Sequence, residues 1–331
     1  MGFVASSRRS AAGLLALLAL SVLPALLTGC GSGTMSSVEA NPPTRGLLHY
    51  LQQAGQMGNV TDRGYVVSVE AEGGQPAAGS ETSLTLQVLD PSGRPVGDFA
   101  DDMTKRLHFI VVSKDLSAFQ HLHPEYEGQG KFRVKLTFPQ GGPFLLVSEF
   151  MPDGKGLTVH RQWMDVSGPE QAAQALVAVN VPQGGSREGS KESAKEGTPN
   201  DMLNGSPNGT SSELPKESPY VTVNGLEIRL TAMPQLNELK AGEMAMLAFT
   251  LRKAGTGERI ALEPYLGTSG HCVVLDEKAE QYVHVHAAEE MSTASSVMFH
   301  AEFPKAGLYK LWAQFQYEGQ VVTAPFVLRV A

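Results

Sequence analysis

Leu84-Thr85-Leu86-Gln87-Val88 alternates apolar and polar residues and then meets Asp90-Pro91-Ser92-Gly93, which predicts a half-buried strand closed by a tight turn. Met246-Leu247-Ala248-Phe249-Thr250-Leu251 runs into Ala254-Gly255 in the same way. Further on, Phe138-Pro139, Gly142, Phe150 and Gly154 recur 165 positions later as Phe303-Pro304, Gly307, Phe315 and Gly319. Asp153-Gly154 and Glu318-Gly319 each separate β-rich runs, as hairpin turns do. Short strands, regular turns and no sustained helical period predict an all-β chain: two tandem antiparallel β-sandwiches, immunoglobulin-like or cupredoxin-like, joined by a disordered linker.

The polar stretches set the boundaries. Arg8 and Arg9 precede an apolar run from Ala11 to Leu27, and Leu27-Thr28-Gly29-Cys30 has the form of a bacterial lipobox. Residues 1–29 therefore read as a lipoprotein signal peptide and residues 30–59 as lipidated Cys30 followed by a tether. The first sandwich spans 60–167, a low-complexity linker 168–218, and the second sandwich 219–331. From Gln183 the linker is dominated by Gly, Ser, Glu, Lys, Pro and Asn and offers too little apolar surface to fold alone.

Upon this duplicated pattern sits a duplicated chemistry. His108, His121 and His123 form H-x12-H-x-H, and His271, His284 and His286 repeat it 163 positions later. Leu107 to Val112 predicts a strand, Ser113 to Ser117 a turn, and Ala118 to His123 the returning strand. With Asp115-Leu116 at the centre of the loop, His108 falls opposite His123 and Ile110 opposite His121. The three imidazoles then share one face. The same count aligns His271 with His286 and Val273 with His284. Three neutral imidazoles suit a borderline cation, copper ahead of zinc in the intrinsic order of affinities, and leave a coordination position open. Met103 and Met151 would be thioether candidates, but Thr268 and Gln316 replace them in the second copy, so both read as packing residues. The plainer alternative is that a duplicated domain simply inherits histidines that pack or hydrogen-bond. His160 and His300 lack a histidine counterpart and read as surface or supporting residues, and His49 as solvated.

Net charge is -8 with no basic stripe, which removes nucleic acid as a partner. Only two cysteines are present, so with Cys30 lipidated Cys272 is the lone thiol, and the alternation of the strand puts it on the face opposite His271.

The segments Leu107 to Ser117, Phe119-Gln120-His121-Leu122-His123-Pro124, Pro264-Tyr265-Leu266-Gly267, Gly270-His271 and His284-Val285-His286 resemble exported bacterial proteins of the YtkA-like type. That resemblance implies small immunoglobulin-like sandwiches, frequently lipoproteins, loosely associated with copper handling. A weaker similarity is to periplasmic copper-resistance sandwiches. The expectation is a lipid-anchored metal-binding protein on the extracytoplasmic face of the cell membrane. It would sequester copper or pass it to a metal exporter or copper-receiving envelope protein, with all six histidines as ligands. A tandem interaction module without metal is the alternative. Neither a G-x-S-x-G nor an H-E-x-x-H motif is present, and an enzyme is not expected.

Overall fold

The structure, a computed structural model, describes residues 61–180 and 219–331. The expected signal peptide, Cys30, the tether with His49, and residues 181–218 of the linker lie outside the described residues. The first sandwich contains β1 (Val66–Ala71), β2 (Glu81–Leu89), β3 (Phe99–Ala100), β4 (Leu107–Ser113), β5 (Phe119–Leu122), β6 (Glu125–Gly128), β7 (Lys131–Thr137), β8 (Gly142–Pro152) and β9 (Thr158–Val166). The second contains β10 (Tyr220–Val223), β11 (Leu226–Met233), β12 (Met244–Lys253), β13 (His271–Asp276), β14 (Tyr282–His284), β15 (His286–Ala287), β16 (Ser296–Glu302), β17 (Gly307–Tyr317) and β18 (Gln320–Val330).

In the first copy a sheet ordered β1-β2-β7-β6 covers one ordered β3-β8-β4-β5, with β9 alongside β8. In the second, β10-β11-β12-β16-β15 covers β14-β13-β17-β18. All named strand pairs are antiparallel, as the hairpin signals require. The Asp153-Gly154 turn joins the paired strands β8 and β9, and Glu318 and Gly319, both left-handed, join β17 to β18. Positive φ at both central residues matches the twist of the strands they connect.

Each sandwich has its own core. Leu84, Leu86, Phe109, Val111, Phe132 and Phe144 fill the first, and Leu247, Phe249, Cys272, Val274, Phe299 and Phe315 the second. Cys272 is buried as expected, and burial in this apolar setting pushes its thiol pKa far up.

A third apolar cluster joins the copies. Ile110, Val112, Leu116, Leu145, Val147 and Val159 of the first sandwich pack against Val273, Leu275, Ala279 and Trp312 of the second. Residues Phe109 and Ile110 on β4 point to opposite faces, and every residue of that strand is buried because one face meets its own core and the other meets the neighbouring sandwich. Phe119 stacks on Trp312 with centroids 4.7 Å apart. The interface pairs equivalent strands, β4 with β8 against β13 with β17, and so has the reciprocal character of a two-fold contact. The equivalent turns carrying Thr104 and Gly267 also meet there: a Cβ added to Gly267 would lie 2.9 Å from the Thr104 methyl.

The expected linker does not begin as free chain. Gly141 N–H donates to Pro169 O, Leu176 packs against the joining cluster, and Val179 N–H donates to Val327 O on β18. Asn180 then brackets Arg329, accepting from its N–H and donating to its carbonyl, both at 2.8 Å.

Candidate metal centre

The register of β4 and β5 places Ile110 opposite His121 and Val112 opposite Phe119, as the loop count predicts. Asp115 sets that loop: its Oδ1 accepts from the Ser113 and Ser117 hydroxyls and the Ser117 N–H, and Leu116 takes the left-handed conformation at the tip. His123 follows directly on β5, and its ring centroid lies 4.7 Å from that of His121 and 5.1 Å from that of His108. His108, His121 and His123 each offer one nitrogen, and these three atoms lie within 4.8 Å of one another.

The second triplet is arranged differently. Val273 pairs with His284 as predicted, but the expected pairing of His271 with His286 is not formed. After His284 the chain crosses to the other sheet, buries Val285 in the core, and pairs His286 with His300 on β16. The corresponding crossover in the first copy comes after His123, at Pro124, which keeps His123 beside His121. His271 joins the first group instead. Its ring stacks on His108 at 5.6 Å and 8° and lies 4.4 Å from His121. The expectation of two separate faces, each serving its own hairpin, gives way to two faces opposed across one interface. Nor is His300 a surface residue, since only 6% of it is exposed.

Hydrogen bonds across the interface fix the rings reciprocally. His121 Nδ1 lies 2.7 Å from Gln314 Oε1 on β17, and His284 Nδ1 lies 2.8 Å from Glu149 Oε1 on β8. Gln314 is the counterpart of Glu149 by the 165-residue offset. Gln314 Nε2 donates to Thr323 Oγ1 at 3.2 Å, which turns its oxygen toward His121. An amide oxygen only accepts, so His121 carries its proton on Nδ1 and presents a lone pair at Nε2. His108 Nε2 lies 3.0 Å from the Asp102 carbonyl, which also only accepts, so the neutral form of His108 presents its lone pair at Nδ1. These two lone pairs face each other at 3.0 Å. Two acceptors at that distance repel unless a proton or a metal cation stands between them, and a metal cation serves both lone pairs at once. Nitrogens sharing one cation at ~2.0 Å bonds would be ~2.8 Å apart at a right angle and ~3.3 Å apart at a tetrahedral one.

The electrostatics keep His121, His123 and His271 neutral. Burial, followed by the charge His108 would carry, lowers His121 to about 4, with the Gln314 bond opposing. Burial and the neighbouring His121 and His108 lower His123 to about 3. His271 is driven well down by burial and by its histidine neighbours, and among the described residues neither its Nδ1 nor His123 Nε2 has a hydrogen-bond partner. Across the interface the balance reverses. Burial would raise Glu149, but the adjoining His284 outweighs it and brings the carboxyl to about 2, while Glu149 raises His284 against the pull of its own burial. Asp102 is held up by burial, with His284 and His108 opposing.

Glu149, Gln314 and Asp102 are supporting residues that the histidine spacing does not reveal. Glu149 had a signal of its own: a carboxylate within Phe144-Leu145-Leu146-Val147-Ser148-Glu149-Phe150 is buried on such a strand only when it has a partner.

Structures similar in fold include the Escherichia coli adhesin FdeC, at 16% identity and TM-score 0.25 over 82% of this chain and 66% of that one. The Yersinia pseudotuberculosis adhesin InvE follows at 11% and 0.23, over 82% and 61%. The chain thus spans less than two thirds of either adhesin chain. A PKD domain of an M14-like peptidase from a Thermoplasmatales archaeon matches 32% of this chain over 94% of its own length, at 12% identity and TM-score 0.22. Likenesses this distant carry no argument about function. No curated protein matches the chain. The family described as Domain of unknown function (DUF8832) matches residues 59–168 and again 221–331. The chain belongs to that family, with two copies of its domain in tandem.

Proposed function

We propose that this is a metal-binding protein in which His108, His121 and His123 hold one copper or zinc ion at the seam between the sandwiches. The reading is of a binder rather than an enzyme. The observation that carries it is the 3.0 Å approach of His108 Nδ1 to His121 Nε2, with the other nitrogen of each ring already turned to an oxygen acceptor. A borderline cation takes deprotonated imidazole nitrogen, the form in which burial holds His121 and His123. The likeness to YtkA-like exported proteins and the lipobox ending at Cys30 support a lipid-anchored, extracytoplasmic protein that sequesters the metal or passes it on. In this reading the second sandwich supplies support, Gln314 orienting His121 and His271 closing one side of the rings.

A second reading, an interaction module without metal, draws on a different observation. His121 with Gln314 and His284 with Glu149 are contacts between the copies, as a purely structural use of histidine would have them. Titration of the full chain with Cu(II) and Zn(II), repeated on His121→Ala/His123→Ala, separates the two. Binding of one ion that the double substitution abolishes supports the metal centre. No binding, or binding that the substitution leaves unchanged, overturns it in favour of the module.

A further inference from the structure

The two copies differ most informatively on the outer face of the sheet far from their shared interface. In the first sandwich five neighbouring outward positions on β1-β2-β7 hold Glu72, just beyond β1, with Glu81, Ser83, Arg133 and Lys135. These are ordinary solvated charges: Lys135 pairs with Glu81 at 3.2 Å and Arg133 with Glu72 at 3.7 Å. In the second sandwich the same five positions hold Met233, Met244, Met246, Met298 and His300.

The equivalence follows from register. Ser83 lies opposite Lys135, and Met246 opposite His300; Thr85 lies opposite Arg133, and Ala248 opposite Met298. On the other side of β12, Met246 lies opposite Met233. Met233, Met246 and His300 thus form a straight row across β11, β12 and β16. Flanking residues Ala245, Leu247, Phe249, Val297, Phe299 and Ala301 occupy the core, so the row and its neighbours Met244 and Met298 take the opposite face. Directly opposed Cβ atoms are about 5 Å apart, and an unbranched methionine with three torsions readily turns its sulfur toward a neighbour. Met233 is 74% exposed and Met244 43% exposed, so the row is open to solvent at its Met233 end while His300 lies buried at the other.

Replacing five salt-bridged or polar positions by four thioethers and an imidazole puts apolar surface in water where its twin has solvated charge. Thioether sulfur selects soft, monovalent copper over divalent ions. We propose that the outer face of the second sandwich is a Cu(I) site, with Met233, Met246 and His300 as its ligand row and Met244 and Met298 at its margins. It is separate from the imidazole centre at the interface and does not depend on it.

The test uses the full chain labelled at its methionine methyls and titrated with Ag(I), then with Cu(I) under reductant, against Met233→Leu/Met246→Leu and, separately, His121→Ala/His123→Ala. Leucine keeps the apolar volume and removes only the sulfur. The expected result is a saturable shift of the methyls of residues 233, 244, 246 and 298, an affinity at least tenfold weaker in the leucine variant, and Zn(II) binding at the interface unchanged. The histidine variant retains the Ag(I) response, so failure here and failure of the interface centre are distinguishable. Absence of shifts at these methyls, or equal affinity in the leucine variant, overturns the proposal and leaves the face as an apolar surface only.

Discussion

Glu149 is the residue whose removal tests the interface most sharply, because the molecule contains its own control. Its side chain is fully buried and binds His284 Nδ1 at 2.8 Å, while the equivalent Gln314 binds His121 Nδ1 at 2.7 Å. Glu149→Ala takes the carboxylate away from a buried imidazole and is expected to cost about 3–5 kcal/mol. Glu149→Gln keeps an acceptor in the geometry that Gln314 already demonstrates and loses only the charge assistance, about 1 kcal/mol. The pH dependence adds a second handle. The carboxyl is depressed from 4.5 to about 2, so its contribution is present above pH 4.5 and lost as pH falls toward 2, a change of about 3 kcal/mol. That acid limb is absent in both variants. Urea unfolding followed by tryptophan emission suits the measurement, since Trp312 sits in the joining cluster. Equal stabilities for the two variants within about 0.5 kcal/mol of the parent, or an unaltered acid limb, would refute the reasoning.

Three further outcomes are expected. Gln314→Leu removes the acceptor that fixes the His121 tautomer without touching a ligand, and isothermal titration should show Zn(II) affinity falling about ten- to a hundredfold. Trp312→Ala removes the stack with Phe119 and the contact with Lys310, whose ammonium lies 5.4 Å over the indole. It should cost about 3–5 kcal/mol and split one unfolding transition into two, which calorimetry would reveal. For the metal-free protein, His121 is lowered from 6.5 to about 4, so the unfolded chain takes up a proton that the folded one refuses. Stability should drop between pH 6.5 and 4, with about 3 kcal/mol of the fall due to His121 beside the contributions of His123 and His271, and His121→Phe should make that slope shallower without abolishing it, leaving the Glu149 limb below it.

The sandwich fold and the first histidine group were legible because both rest on period-two alternation and on one loop of even length. Ile110 opposite His121 and Val273 opposite His284 follow from that count alone. His286 escaped it because spacing does not say where a strand leaves its sheet, and in the second copy the chain crosses over immediately after His284. The meeting of the two copies was written in the sequence more faintly. Phe109-Ile110-Val111-Val112 is apolar on both faces, more than a sandwich with one solvated side requires, and Trp312 on β17 is a large ring on the face away from its own core. Glu149 and Gln314 became meaningful only once those faces were opposed, because the partner of each lies on the other copy.

The proposed function stands on a metal cation held between His108 Nδ1 and His121 Nε2. Anomalous diffraction at the zinc edge, from crystals of the full chain grown with one equivalent of Zn(II), tests it most directly. The expected peak lies about 2.0–2.1 Å from those two nitrogens and from a nitrogen of His123. A zinc peak elsewhere, or none while His108 and His121 keep their 3.0 Å contact, would contradict it.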